Sequence, residues 1–214
     1  VPASVTALSF FAGSTLRLNN ASGVTITNND PSACTFTFGA NGGMNEVAGS
    51  ITMGDADILA YSGTSTFSFT SGTITDVNWP ATGGPQNVTI GSSVTLPGDR
   101  TIPGTFTLTN GILNTGAFTL TIGTSASSVG SLTYAGGAVR GNLRRWFATA
   151  TTTNSLFPMD DNAGQYVPGQ ISFTGAPTTG GTITSRFTST GAGTQGLPLV
   201  SPTGGSIINV APGF

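Results

Sequence analysis

The chain has no histidine and no lysine, one cysteine, and few charges of either sign: six arginines against eight acids, a net charge of −2 in 214 residues. Each shortage closes off a class of chemistry. Without histidine, and with a single thiol, a Ser-His-Asp triad, a Cys-His pair and a His-based metal site cannot be assembled within this chain. The lone Cys34 excludes an internal disulfide; it alternates with Phe36 and Phe38 in the run CTFTF and reads as a small apolar packing group. The charge balance leaves no electrostatic footprint for nucleic acid. No run of about eighteen apolar residues is present for membrane insertion as a helix. The chain opens on VPASV with neither a charged nor an apolar leader region, so the expectation is that a signal peptide has been removed or lies outside this segment.

Thr, Ser and Gly take the place that charge leaves. Charged residues are 7% of the chain, against roughly 25% in an average domain, so the surface must be covered by hydroxyls and amides. Thirty-two Gly and twelve Pro could belong to a disordered low-complexity chain. Thirteen Phe, a positive mean hydropathy and apolar residues in period-two couples argue for a folded β protein instead. A chain of this length buries roughly 70% of its unfolded surface and needs neither disulfide nor metal for stability. No span shows the i, i+3, i+4 recurrence of an amphipathic helix, so almost no α-helix is expected.

The most regular stretch is 87–123. Its apolar couples, Val88/Ile90, Val94/Leu96, Phe106/Leu108 and Phe118/Leu120/Ile122, alternate as strands with one buried face do. Val88 to Val94, Phe106 to Ile112 and Ile112 to Phe118 are each six residues, while Val88 to Phe106 and Val94 to Ile112 are each eighteen. Three short strands per eighteen-residue turn is the arithmetic of a parallel β-solenoid. Hairpins of an antiparallel sandwich are the rival reading of the same couples.

Before this stretch the couples recur at looser intervals (Leu16/Leu18, Val24/Ile26, Phe36/Phe38, Ile51/Met53, Phe67/Phe69) between Asn- and Gly-rich turns, and WPATGGP at 79–85 reads as a break. Beyond residue 123 the spacing widens to about eight to twelve residues, which favours an antiparallel sandwich. The expected division is a β-solenoid with irregular early coils over 1–130 and an antiparallel sandwich-like domain over 131–214.

Several motifs in the second half carry a resemblance. GAVRGNLRRWFA at 137–148, SLFPMDDNAGQYVP at 155–168, ISF at 171–173, GGTITSRF at 180–187 and GGSIINVAPGF at 204–214 follow one another. In that order they resemble a recurring unit of large secreted surface proteins of the Bacteroidota, and TFTLTNGILNTG at 105–116 is similar to the solenoid-like stretches of those proteins. The resemblance covers roughly 85–214. It implies an extracellular, adhesin-like module exported by the type IX system. Because such units usually run on into a further module, it also implies a fragment of a longer protein.

Few residues invite chemistry. Asp55 and Asp57, two apart, and the adjacent Asp160 and Asp161 are the carboxylate pairs that a glycosidase would need, but both read more simply as turn residues capping backbone amides. Asp160, Asp161 and Asn162 offer three oxygen ligands in a Gly-containing loop, which suits calcium although the spacing is not that of an EF-hand. No other cofactor is indicated. Arg140, Arg144, Arg145 and Trp146 form the only charge cluster. They read either as an interface, where Arg and Trp concentrate, or as a clasp in which an arginine grips Asp160 or Asp161 across the two parts of the chain. Tyr61, Trp79 and Tyr134 could stack on sugars but are too scattered to form an obvious platform.

The reading that follows is a non-enzymatic extracellular or cell-surface structural protein. Its expected partners are copies of itself, head to tail, because solenoid ends expose open strand edges and little charge keeps copies apart. A carbohydrate-binding module recognising surface glycans is the alternative, and a polysaccharide-cleaving β-helix enzyme a weaker third.

Overall fold

A computed structural model describes residues 7–10, 14–19, 22, 24–26, 34–54, 58–188, 199–200 and 206–207. The fold is all-β, without helix among the described residues, and begins as a parallel β-solenoid of about five turns. The chain laps through β1 (Ala7–Phe10), β2 (Thr15–Asn19) and β3 (Val24–Ile26), then β4 (Thr35–Phe38), β5 (Gly43–Ala48) and β6 (Ile51–Met53). β7 (Ile58–Tyr61) and β8 (Thr66–Phe69) follow, then β9 (Asn87–Ile90), β10 (Val94–Thr95) and β11 (Arg100–Ile102). β12 (Thr105–Leu108) with β13 (Ile112–Ile122), and β14 (Ser131–Tyr134) with β15 (Ala138–Phe147), complete the laps. Every ladder among these strands is parallel, which decides against the hairpin alternative.

The longest sheet runs β14-β12-β9-β8-β5-β2. Its register pairs Thr15 with Gly43, Gly43 with Thr66, Thr66 with Asn87, Val88 with Phe106 and Thr105 with Ser131, steps of 28, 23, 21, 18 and 26 residues. The eighteen-residue period is thus one step of the coil, and loops absorb the rest.

Alternation sorts each strand into two columns. Met44, Phe67, Val88 and Phe106 stack inward as one buried column, and Phe69, Ile90 and Leu108 form most of another. Outward stand Thr66, Asn87, Thr105 and Ser131 in one column and Ser68, Thr89, Thr107 and Thr133 in the other. The absence of a side chain at Gly43 is structural: a Cβ there would lie 1.8 Å from the Thr66 carbonyl oxygen.

On the other side β10 and β11 both pair with the long strand β13, which pairs with β15. Here the expected register shifts. Val94 lies opposite Leu113, not Ile112, because the turn at Asn110 and Gly111, the latter at φ 76°, takes up one extra residue. Leu113 is therefore the inward residue. The register slips again between Asn114 and Thr119, so Phe118 bulges outward at 39% exposure while Leu120 and Ile122 are buried.

The lap of β7 and β8 lacks a third strand. Residues 70–86 instead fold over the solenoid, putting Trp79 into the core with its ring 6.0 Å from that of Phe67. Parallel pairing continues past residue 130 through β14 and β15 and changes only after Phe147. β16 (Thr152–Phe157) then pairs with β17 (Gly169–Phe173), and β18 (Gly181–Ser185) runs antiparallel along β15. A short hairpin, β19 (Leu199–Val200) with β20 (Ser206–Ile207), follows.

Candidate functional site

A solenoid ends in strand edges whose amides and carbonyls have no neighbour, and the two sheets here end differently. The outer edge of β15 is covered: Val139 donates to the Pro158 carbonyl (2.6 Å), the Asp160 amide donates back to Val139 (2.9 Å), and β18 pairs residues 143–147. The outer edge of β14 is bare among the described residues. Ser131 and Ala135 donate to Gly104 and Leu108 of the preceding turn, both at 2.9 Å. Since residues along a parallel strand bond alternately to either side, Leu132 and Tyr134 direct their backbone groups outward. At the opposite end Gly43 donates to the Ser14 carbonyl (3.0 Å), so Thr15 and Arg17 are the outward-bonding residues of β2. Leu16, Leu132 and Tyr134, which end the inward columns, are only half-buried. Tyr166 stacks on Tyr134 with ring centres 5.5 Å apart, leaving the 131–133 stretch open.

The arginine strand β15 faces the covering segment. Arg140 Nε donates to Asp160 Oδ1 at 2.6 Å, and Asp160 is fully buried. That bond raises the arginine pKa and ties the solenoid to the chain that crosses its end. Arg145 Nη1 donates to the Leu156 carbonyl (2.7 Å), and its guanidinium lies 5.6 Å from the Phe157 ring centre and 5.9 Å from that of Phe147. Burial lowers its pKa. Arg144 reaches only the Thr184 hydroxyl on β18, at 3.2 Å and in solvent. Trp146 is half-exposed and lines a hollow with Arg145, Thr151, Thr152 and Ser155. Three arginines thus bind the end cover to β15, and Trp146 stands beside them.

The acids of this cover behave as turn residues. Asp160 Oδ1 also accepts the Asn162 amide (2.7 Å), and Asp161 Oδ1 accepts the amides of Ala163 and Gln165, both at 2.8 Å. The Gln165 and Ala163 amides hold the Asp161 carboxyl below the usual carboxylate range. Asn162 sits at φ 67°, in the left-handed region that closes the turn. With Arg140 supplying the positive charge beside Asp160, these residues form an Asx turn. Among the described residues no group of three or more His, Cys, Asp or Glu converges. Asp55 and Asp57 lie outside the described residues. Trp79 and Tyr61 are buried and present no ring to a sugar.

One charged group in the core escaped the sequence reading. Glu46 occupies the inward column between Leu18 and Phe69. Its Oε1 accepts the Thr73 amide at 2.9 Å, and its Oε2 accepts Asn78 Nδ2 in a short bond. Tyr61 completes the network by donating to the Asn78 carbonyl at 2.6 Å. Burial pushes the Glu46 carboxyl from 4.5 up to about 7, against the opposing pull of Thr73 and Asn78. The same loop is fixed outside by Asp76, which pairs with the buried Arg100. The signal was present in GMNEVA, where Glu46 shares the face of Met44, but its partners come from a loop with no periodicity.

No protein-family model, no curated protein and no solved structure matches the chain.

Proposed function

We propose that the chain is a non-enzymatic extracellular structural protein, a subunit or module of a self-assembling surface filament or adhesin. The observation that carries this reading is the edge of β14, bare among the described residues, whose alternation matches that of β2. If β2 of a second copy continues the ladder, Leu132 lies over Leu16 and Thr133 over Arg17, and the outward amides of one strand meet the outward carbonyls of the other. Such a contact joins two different surfaces and does not close, so it propagates into a filament.

Its strength follows from few terms. Fully burying a leucine contributes roughly 1.5–3 kcal/mol, and each net ladder bond roughly 0.5–1.5 kcal/mol. Association costs about 4–15 kcal/mol. A few bonds and two half-buried leucines come close to that cost, so assembly is concentration-dependent. The test is sedimentation across a concentration series with the Arg17→Pro variant beside the parent. Proline removes an outward donor and blunts the edge of β2. Growing oligomers in the parent and monomers in the variant are expected; identical behaviour of the two would overturn the reading.

A further inference from the structure

We propose that the outward face of the long parallel sheet is a binding surface for crystalline ice. From β8 to β14 its two outward columns carry Thr, Ser or Asn at every position, in ladders with no register shift. Ladder geometry repeats these side chains at about 4.8 Å across the strands and about 6.7 Å along them. The result is a two-dimensional grid of hydroxyls and methyls, interrupted at Asn87, whose side-chain amide donates to the Thr64 carbonyl and accepts the Thr105 amide.

The chemistry of the grid selects its partner. The hydroxyls of Thr66, Ser68, Thr89, Thr107 and Thr133 have no protein partner, whereas Thr105 bonds Ser131 at 2.9 Å. No ionised side chain stands in either column between β8 and β14. Charges would hold disordered hydration shells; neutral hydroxyls beside methyls let water adopt the order of a lattice. No aromatic stands in the columns either, so a sugar ring finds no stacking platform there. A protein surface without such ladders would not repeat on the grid, whereas the oxygen rows of hexagonal ice repeat on similar spacings in both directions. Each contact is weak, so affinity requires that many fall into register at once, which a grid held by backbone ladders provides. The face lies away from the strand edges used in stacking, so the proposal stands or falls separately from self-assembly.

The experiment follows partition of the fluorescently labelled chain into ice grown slowly on a cold finger, together with thermal hysteresis. The parent chain is expected to enter the ice and to shape the growing crystals. Thr107→Tyr, in the middle of the grid, should lose both effects, while Thr101→Tyr, exposed on β11 outside the grid, should keep them. Thermal unfolding of each variant checks its fold, and Thr89→Val, which keeps the shape and removes one hydroxyl, should weaken both effects if the tyrosine variant unfolds. Rejection of the parent from ice, binding to crystalline cellulose without binding to ice, or full ice activity in Thr107→Tyr or in a folded Thr89→Val would overturn the proposal.

Discussion

Replacing Glu46 with glutamine should flatten the pH dependence of stability between about pH 4.5 and 7. In the folded chain the carboxyl is displaced from 4.5 to about 7, chiefly by burial. Protonated, it fits the core column between Leu18 and Phe69; ionised, it carries a charge that the two hydrogen bonds it accepts, from Thr73 and Asn78, compensate only in part. A group raised in this way contributes stability that is fully present below its unfolded pKa and is lost as pH rises through the folded value. At about 1.4 kcal/mol per pH unit of displacement, the loss on going from pH 4 to pH 8 reaches about 3 kcal/mol. That is a large share of a total of roughly 5–15 kcal/mol. Glutamine cannot ionise, and its amide still accepts from Thr73 or Asn78. Urea unfolding of both chains at pH 4, 5.5, 7 and 8.5 reads the difference between them, in which all other titrating groups cancel. The parent should lose stability with rising pH relative to Glu46→Gln. Parallel curves would show that Glu46 does not titrate in this window and that burial does not govern it.

Arg140→Ala leaves the buried Asp160 carboxylate without its cation, a change that costs about 1–3 kcal/mol; adding Asp160→Asn should restore part of the lost thermal stability, and no recovery in the double variant would refute the clasp. Gly43→Ala places a methyl where the Thr66 carbonyl oxygen lies only 1.8 Å away. Because that neighbour is backbone, the ladder between β5 and β8 must shift, and the stability measured by urea unfolding should fall by well over the about 0.5 kcal/mol typical of a surface change.

The solenoid was legible where apolar couples meet their own period. Val88/Ile90 and Phe106/Leu108 pair as the eighteen-residue spacing predicts, and each is buried. Legibility ended where one inserted residue redirects a strand. The extra residue at Gly111 moves Leu113 into the core in place of Ile112, and the bulge before Thr119 turns Phe118 outward. Side-chain alternation depends on parity, so a single insertion inverts every later assignment until another corrects it. The burial of Trp79 was not legible for a different reason. Its Pro- and Gly-rich neighbours read as a break between coils, as the strandless 70–86 segment is, and it is tertiary contact with Phe67 and the pinning of Asn78 by Glu46 that bring Trp79 inside. The arginine cluster and a grip on Asp160 or Asp161 were legible, but that Arg140 makes it depends on the parallel approach of Met159 to Val139, which local sequence does not encode.

Fibre diffraction from a concentrated, aligned sample tests self-assembly most directly. Head-to-tail stacking of β14 on β2 continues one ladder from copy to copy, with strands across the fibre axis, and predicts a sharp meridional reflection at about 4.8 Å. A solution that stays monomeric at high concentration, or fibres without that meridional reflection, would contradict it.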